Sequence, residues 1–236
     1  MCIRDSTYSE IVEFDPRNTS SRRLLGDIYL AHGWYGPAYR QFKTLTEAEP
    51  SQWTGWLRLA SAAAGSGRVD EALRVERRVA EAEGNPGPRD PRRWARLWSA
   101  ARLARLIASP PPGEADPKGM AEGMKRRLKE LQLFEGPATL VVLTWEDLNV
   151  DVALVSKSGR SDAQVGELVE APEVGLSALF VPTAELRELT LSARIRGGSP
   201  SRKLTLVRHD ITWDGKAFQV KIKDAPMESD ARSVEL

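Results

Sequence analysis

The strongest pattern in the sequence links two segments, TSSRRLLGDIYLAHGWYGPAYRQFKTLTEAEP at residues 19–50 and WTGWLRLASAAAGSGRVDEALRVERRVAEAEG at residues 53–84. Residues of the same type recur between them at an offset of 34 positions, namely Leu25 and Leu59, Gly33 and Gly67, and Ala38 and Ala72, and Pro16 just before the first stretch has the same offset from Pro50. A fixed period of roughly 20–50 residues indicates supersecondary units that stack to bury a common core. The sequence therefore predicts a stacked repeat in its N-terminal part.

The residues of this repeat resemble those of a tetratricopeptide repeat (TPR), a helix pair with this period. The first unit carries TPR-like residues at Leu25, Gly26, Tyr29, Ala38, Phe42 and Pro50. The second unit carries them at Trp56, Leu59, Ala60 and Ala72, and departs from the pattern at Ala63, Glu76 and Gly84. The resemblance implies that Gly26 is small because its partner helix crosses there, and that the chain binds a protein or peptide partner.

Breaks in composition divide the chain into segments. Residues 1–6, MCIRDS, resemble translated sequencing adapter, and 7–14 resemble the last helix of an earlier repeat. We therefore expect a C-terminal fragment of a larger bacterial TPR protein. The predicted organisation is TPR-like helical repeats at 7–108, a proline-rich linker and helix at 109–135, a β-sandwich domain at 136–226 and a disordered tail at 227–236.

A long basic helix is predicted from Arg89 to Ala108, because tryptophan, leucine and alanine recur there at helical spacing. Its arginines are Arg92, Arg93, Arg96, Arg102 and Arg105. They indicate either a contact with phosphate or an acidic partner, or a solvated face with arginine stems over the tryptophan rings, and we favour the second. In the following helix we interpret the stripe of Met120, Met124, Leu128 and Leu131 as core rather than as a binding surface.

After Gly136-Pro137 the pattern changes to short β-strands. Leu140–Trp145 has no helical period, and Leu189, Leu191, Ala193 and Ile195 alternate with polar residues, as in a strand with one buried face. The apolar stretches 204–213 and 218–222 flank Asp214-Gly215, a strong signal for a β-hairpin. The predicted fold class is therefore α+β, with helical repeats followed by a small antiparallel β-sandwich.

The start of this domain, Leu140–Asp147 followed by Val150-Asp151-Val152, resembles a β domain that ends some bacterial proteins. Those proteins carry vault/inter-alpha-trypsin (VIT) and von Willebrand A domains upstream. The resemblance implies a scaffold linked to the cell envelope or periplasm, and a cytoplasmic location stays open. It implies no catalytic residues.

Two sets of side chains are candidate sites. If the repeats bind a peptide, analogy to the TPR predicts a groove lined by Arg23, Asp27, Leu57 and Ser61. The alternative is that these residues form the stacking surface toward the next repeat. Separately, Asp147, Asn149 and Asp151 imitate the start of a calcium loop, which lacks its glycine at Val152 and its glutamate at Ser158. Strand alternation would instead place these three on one solvated rim.

Composition limits the function classes. The formal net charge of +1 argues against a dominant role on nucleic acid or an anionic membrane. No apolar run reaches the roughly 18 residues of a membrane span, and no phosphate loop, zinc motif or nucleophile elbow is present. We predict a non-catalytic protein–protein interaction scaffold without a cofactor. The alternative is a cell-surface module that binds carbohydrate or calcium on a TPR spacer.

Overall fold

A computed structural model describes residues 18–83, 87, 89–158, 166–200, 203–228 and 231–236. Helices precede a set of antiparallel strands, so the fold class is α+β. The chain forms two compact units. The first contains the described residues up to Ala95 together with Glu146–Asn149, and the second contains Arg96–Trp145 and Val150–Leu236. This boundary differs from the expected one at 108, and the predictions for 1–6 and 7–14 lie outside the described residues.

Four helices of the first unit form two pairs, with bounds α1 Thr19–Ala31, α2 Tyr35–Ala48, α3 Trp53–Gly65 and α4 Val69–Ala80. The helices of the second pair start 34 residues after those of the first. The turns also correspond, because Gly33 and Gly67 both have positive φ, at 71° and 83°. Only glycine adopts this conformation without steric cost, which explains why the repeat keeps a glycine there.

Close packing between α1 and α2 explains the small residues of the first pair. A Cβ on Gly26 would lie 2.6 Å from the Phe42 ring, so only a glycine lets this ring approach the backbone of α1. Phe42 and Ala38 are fully buried. The expectation that Gly26 is small because its partner helix crosses there is confirmed.

Two helices connect the repeats to the strands, α5 at Pro91–Ala108 and α6 at Pro117–Glu130. Apolar side chains on two sides of α5 are buried, since both Leu97 and Leu103 are buried. The N-terminus of α6 is capped by the Asp116 carboxylate, which accepts a hydrogen bond from the Gly119 amide at 2.9 Å. Of the predicted stripe on α6, only Leu128 is fully buried.

The second unit contains two antiparallel sheets. Their strands are β1 Ala138–Thr144, β2 Asp151–Ser158, β3 Glu167–Ala171, β4 Leu176–Val181, β5 Leu189–Gly197, β6 Leu204–Trp213, β7 Phe218–Met227 and β8 Ser233–Glu235. One sheet has the order β3-β4-β1-β6-β7, and the other has the order β2-β5-β8. The hairpin at Asp214-Gly215 is confirmed, because Trp213 pairs with Phe218 across it.

Both sheets contribute to one hydrophobic core. Val141 and Leu143 on β1, Leu154 on β2 and Leu206 on β6 belong to the same cluster of buried side chains. The alternation predicted for β5 is confirmed, since Leu191, Ala193 and Ile195 are buried in this core. Apolar burial of this kind is the dominant favourable term for the second unit.

The predicted disordered tail at 227–236 is wrong for its described residues. Met227 ends β7, and Ser233–Glu235 forms β8, where Val234 pairs with Ala193 of β5. The Leu236 amide donates a hydrogen bond to the Leu191 carbonyl at 3.0 Å. The physical reason is that β5 offers a free edge and an apolar core, and a short segment with Val234 and Leu236 suffices to use both.

Candidate functional site

The surface formed by α1 and α3, the first helices of the two pairs, carries a cluster of charged side chains. Arg58 on α3 places its Nε 3.0 Å from the Asp27 carboxylate on α1, and only 11% and 13% of the two side chains are exposed. Arg23, one turn before Asp27, binds Glu49 at 2.9 Å. The ion pair between Asp27 and Arg58 joins the two helix pairs through charges that are largely withdrawn from water.

Asp27 is the titratable centre of this cluster. Burial raises the pKa of its carboxyl group to about 6, although the positive charges of Arg58 and Arg23 act to lower it. Burial is the larger effect because the carboxylate loses hydration that the two arginines only partly replace, and Arg23 already binds Glu49. The charge of Asp27 therefore changes in the pH range around 6.

Replacing Asp27 with asparagine should remove a pH dependence of stability between about pH 4 and pH 6. The folded protein holds a proton on Asp27 up to a pKa of about 6, whereas an unfolded aspartate loses it at about pH 4. The stability that this group contributes is thus complete below about pH 4 and decreases as the pH rises to 6, by up to about 3 kcal/mol. Urea unfolding of wild type and Asp27→Asn across this range measures the difference.

Arg58→Met is the matched variant for that experiment, because it removes the positive charge that lowers the pKa of Asp27 the most. The pKa of Asp27, followed by carboxyl NMR titration, should then rise above its wild-type value. A stability difference between wild type and Asp27→Asn that stays constant from about pH 4 to pH 7 would contradict the assignment.

The four residues predicted for the groove do not all lie at the surface. Arg23 is partly exposed, Asp27 is largely buried and Ser61 is half-buried. Leu57 is only 1% exposed, so it packs in the interior and cannot line an open groove. Sequence reasoning missed Arg58, the partner of Asp27, and it missed Leu24, which is 49% exposed on α1. Arg58 follows Leu57, and Leu24 follows Arg23. In each pair the sequence carried no signal of which residue faces outward.

A second feature of the first unit is the segment Glu146–Asn149, which lies between β1 and β2 in the chain. The Tyr35 hydroxyl donates a hydrogen bond to the Glu146 carboxylate at 2.7 Å, and Leu148 packs against the core of the helices. A Cβ on Gly65 would lie 2.3 Å from the Tyr35 ring, so only a glycine at this position leaves space for the ring. The segment that resembled a motif of a β domain therefore acts here as a packing element.

The three calcium candidates make different contacts. Asp147 is only 4% exposed and accepts two hydrogen bonds from Asn149, each at 3.2 Å. Asp151 instead binds Arg196 at 3.0 Å. The expected solvated rim is wrong for Asp147, because its carboxylate turns inward to close a turn. In the described parts of the chain, no three His, Cys, Asp or Glu side chains group as a metal site requires.

Comparison with known proteins does not assign the chain to a family. No family model, curated protein or solved structure matches the chain. Within the described residues, none of the helices combines the length and the apolar character that a bilayer crossing requires. The functional assignment therefore depends on the geometry of the helices and their charged residues.

The remaining polar candidates are explained by their neighbours. The Arg102 guanidinium lies 4.8 Å from the centre of the Trp98 ring, which confirms the expected stacking of an arginine on a tryptophan in α5. Arg92 binds Asp90 at 2.8 Å. Burial, together with the charges of Arg105 and Arg102, lowers the pKa of His209 to about 4, so this imidazole is neutral at physiological pH.

Proposed function

We propose that this chain is a non-catalytic protein–protein interaction scaffold, in which TPR-like helix pairs present a binding surface and the two sheets form a β-sandwich. The observation that carries the proposal is the recurrence of a helix pair and its glycine turn at an offset of 34 residues. Such pairs stack into extended surfaces that bind other proteins. The close approach of Phe42 to Gly26 supports the TPR reading.

The binding surface that we propose is the face of α1 and α3 around Leu24. Leu24 is the large apolar side chain that stands exposed among the described residues, and Arg23 lies beside it. An exposed apolar anchor bordered by charged groups is typical of a protein interface. We therefore expect a peptide partner that buries an apolar side chain on Leu24 and places a carboxylate near Arg23.

Selection of binders from a random peptide library, with the full chain as bait, tests this proposal. Peptides enriched on the wild-type protein should bind at least tenfold more weakly to Leu24→Glu, because burying a leucine side chain contributes about 1.5–3 kcal/mol. Titration of a fluorescent peptide with each protein measures the dissociation constants.

Lys43→Glu is the matched control, since Lys43 is exposed on α2 and receives the same new residue. It should change the affinity less than about twofold, as expected of a site outside the interface. Failure to enrich any peptide, or equal binding to Leu24→Glu and wild type, would exclude this face as the binding surface.

A further inference from the structure

The helix α6 concentrates positive charge in a chain whose total charge is nearly balanced. It carries five basic and two acidic side chains over its 14 residues. Lys118, Arg126 and Lys129 are exposed. The formal charge of +1 for the whole chain conceals this local excess.

The basic residues and the apolar residues of α6 lie on different sides. Met120, Met124 and Leu128 follow one another at intervals of four, which places them on one face of a helix. Because Leu128 is fully buried, this apolar face is turned toward the protein. The exposed basic side chains are consequently on the face that meets solvent, and no rearrangement of α6 is needed to expose them.

Local contacts account for only some of these charges. Lys125 binds Glu122 at 2.7 Å, and the Lys129 ammonium lies 5.7 Å from the centre of the Trp213 ring. Lys118 and Arg126 have no carboxylate partner among the described residues. The helix dipole favours cations in the last turn but opposes Lys118 in the first turn. Helix stability therefore does not explain the full set.

The surroundings of this face favour one kind of anionic partner. An interface with a protein needs an apolar centre, and no large apolar side chain is exposed on the described part of the second unit. A membrane rich in anionic phospholipid requires only basic residues within reach of its surface potential. We infer that the solvent-facing basic side of α6 docks on the anionic phospholipid surface of a membrane.

Sedimentation with vesicles tests this inference on the full chain. Vesicles with about 30% phosphatidylglycerol in phosphatidylcholine should bind the protein, and vesicles of phosphatidylcholine alone should not. Binding should decrease steeply between about 0.1 and 0.5 M NaCl, because salt shortens the range of the attraction. Lys118→Gln/Arg126→Gln should weaken the partition coefficient roughly 25-fold, which is roughly fivefold for each basic residue near the surface.

Lys221→Gln/Lys223→Gln is the matched control, because it removes the same charge from exposed positions on β7. It should change the partition coefficient less than about twofold. An equal loss in both double variants would show that only net charge matters and would overturn the inference. So would absent binding to anionic vesicles, or binding to polyglutamate or duplex DNA as tight as to the vesicles. None of these results depends on the peptide-binding face of α1 and α3.

Discussion

Replacing Phe42 with alanine should lower the free energy of unfolding of the first unit by about 3–5 kcal/mol. The ring is fully buried and belongs to the core that joins α1, α2 and α3. Alanine would leave a cavity opposite Gly26, which has no side chain with which to fill it. Urea unfolding followed by far-ultraviolet circular dichroism measures the loss.

Phe42→Leu is the control for this prediction, because leucine retains much of the apolar volume and should cost only about 1–2 kcal/mol. Hydrogen exchange assigns the effect to a unit: amides of α2 should lose protection in Phe42→Ala, while those of β5 keep it. If leucine and alanine destabilise the protein equally, the packing of the Phe42 ring against α1 is not the cause.

Replacing Trp145 with alanine should lower the free energy of unfolding of the second unit by about 3–5 kcal/mol. This indole is buried in the core shared by the two sheets, and its Nε1–H donates a hydrogen bond to the Val150 carbonyl at 3.1 Å. The substitution removes a large apolar side chain and leaves that carbonyl without its donor. Urea unfolding followed by hydrogen exchange of the β5 amides measures the effect.

Trp145→Phe separates the two contributions. Phenylalanine keeps an aromatic ring in the core but cannot donate to Val150, so the cost should be about 1–3 kcal/mol. A loss as large as that of Trp145→Ala would indicate that the hydrogen bond, and not the cavity, dominates. An unchanged stability in both variants would show that Trp145 is not a core residue in solution.

Local spacing predicted much of the fold. The period of 34 residues anticipated the two helix pairs, and the expected helix from Arg89 to Ala108 is observed from Pro91 to Ala108. Alternation along β5 and the Asp214-Gly215 turn were also readable. These features were accessible because each depends on residues a few positions apart, whose backbone preferences and apolar periods are visible in sequence.

The candidate site was only partly predictable. Arg23 and Asp27 lie on the expected helix, but Leu57 is buried and Arg58 beside it forms the ion pair. Neighbouring residues on a helix point about 100° apart, so an error of one position changes which residue reaches the surface. The packing of neighbouring helices against α3 determines which of its residues reaches the surface, and the spacing of residues in the sequence does not predict this packing.

The repeat of helix pairs, the positions that need glycine and the alternation of the longer strands were all predictable from local sequence. Three contacts became visible only in the folded chain: Asp27 pairs with Arg58, Glu146–Asn149 joins the first unit, and Ser233–Glu235 pairs with β5. The two groups of features differ in how far apart along the chain the interacting residues lie. Short-range preferences act within one element, whereas these contacts require surfaces from separate elements to meet, and burial then sets their pairing and the pKa of Asp27.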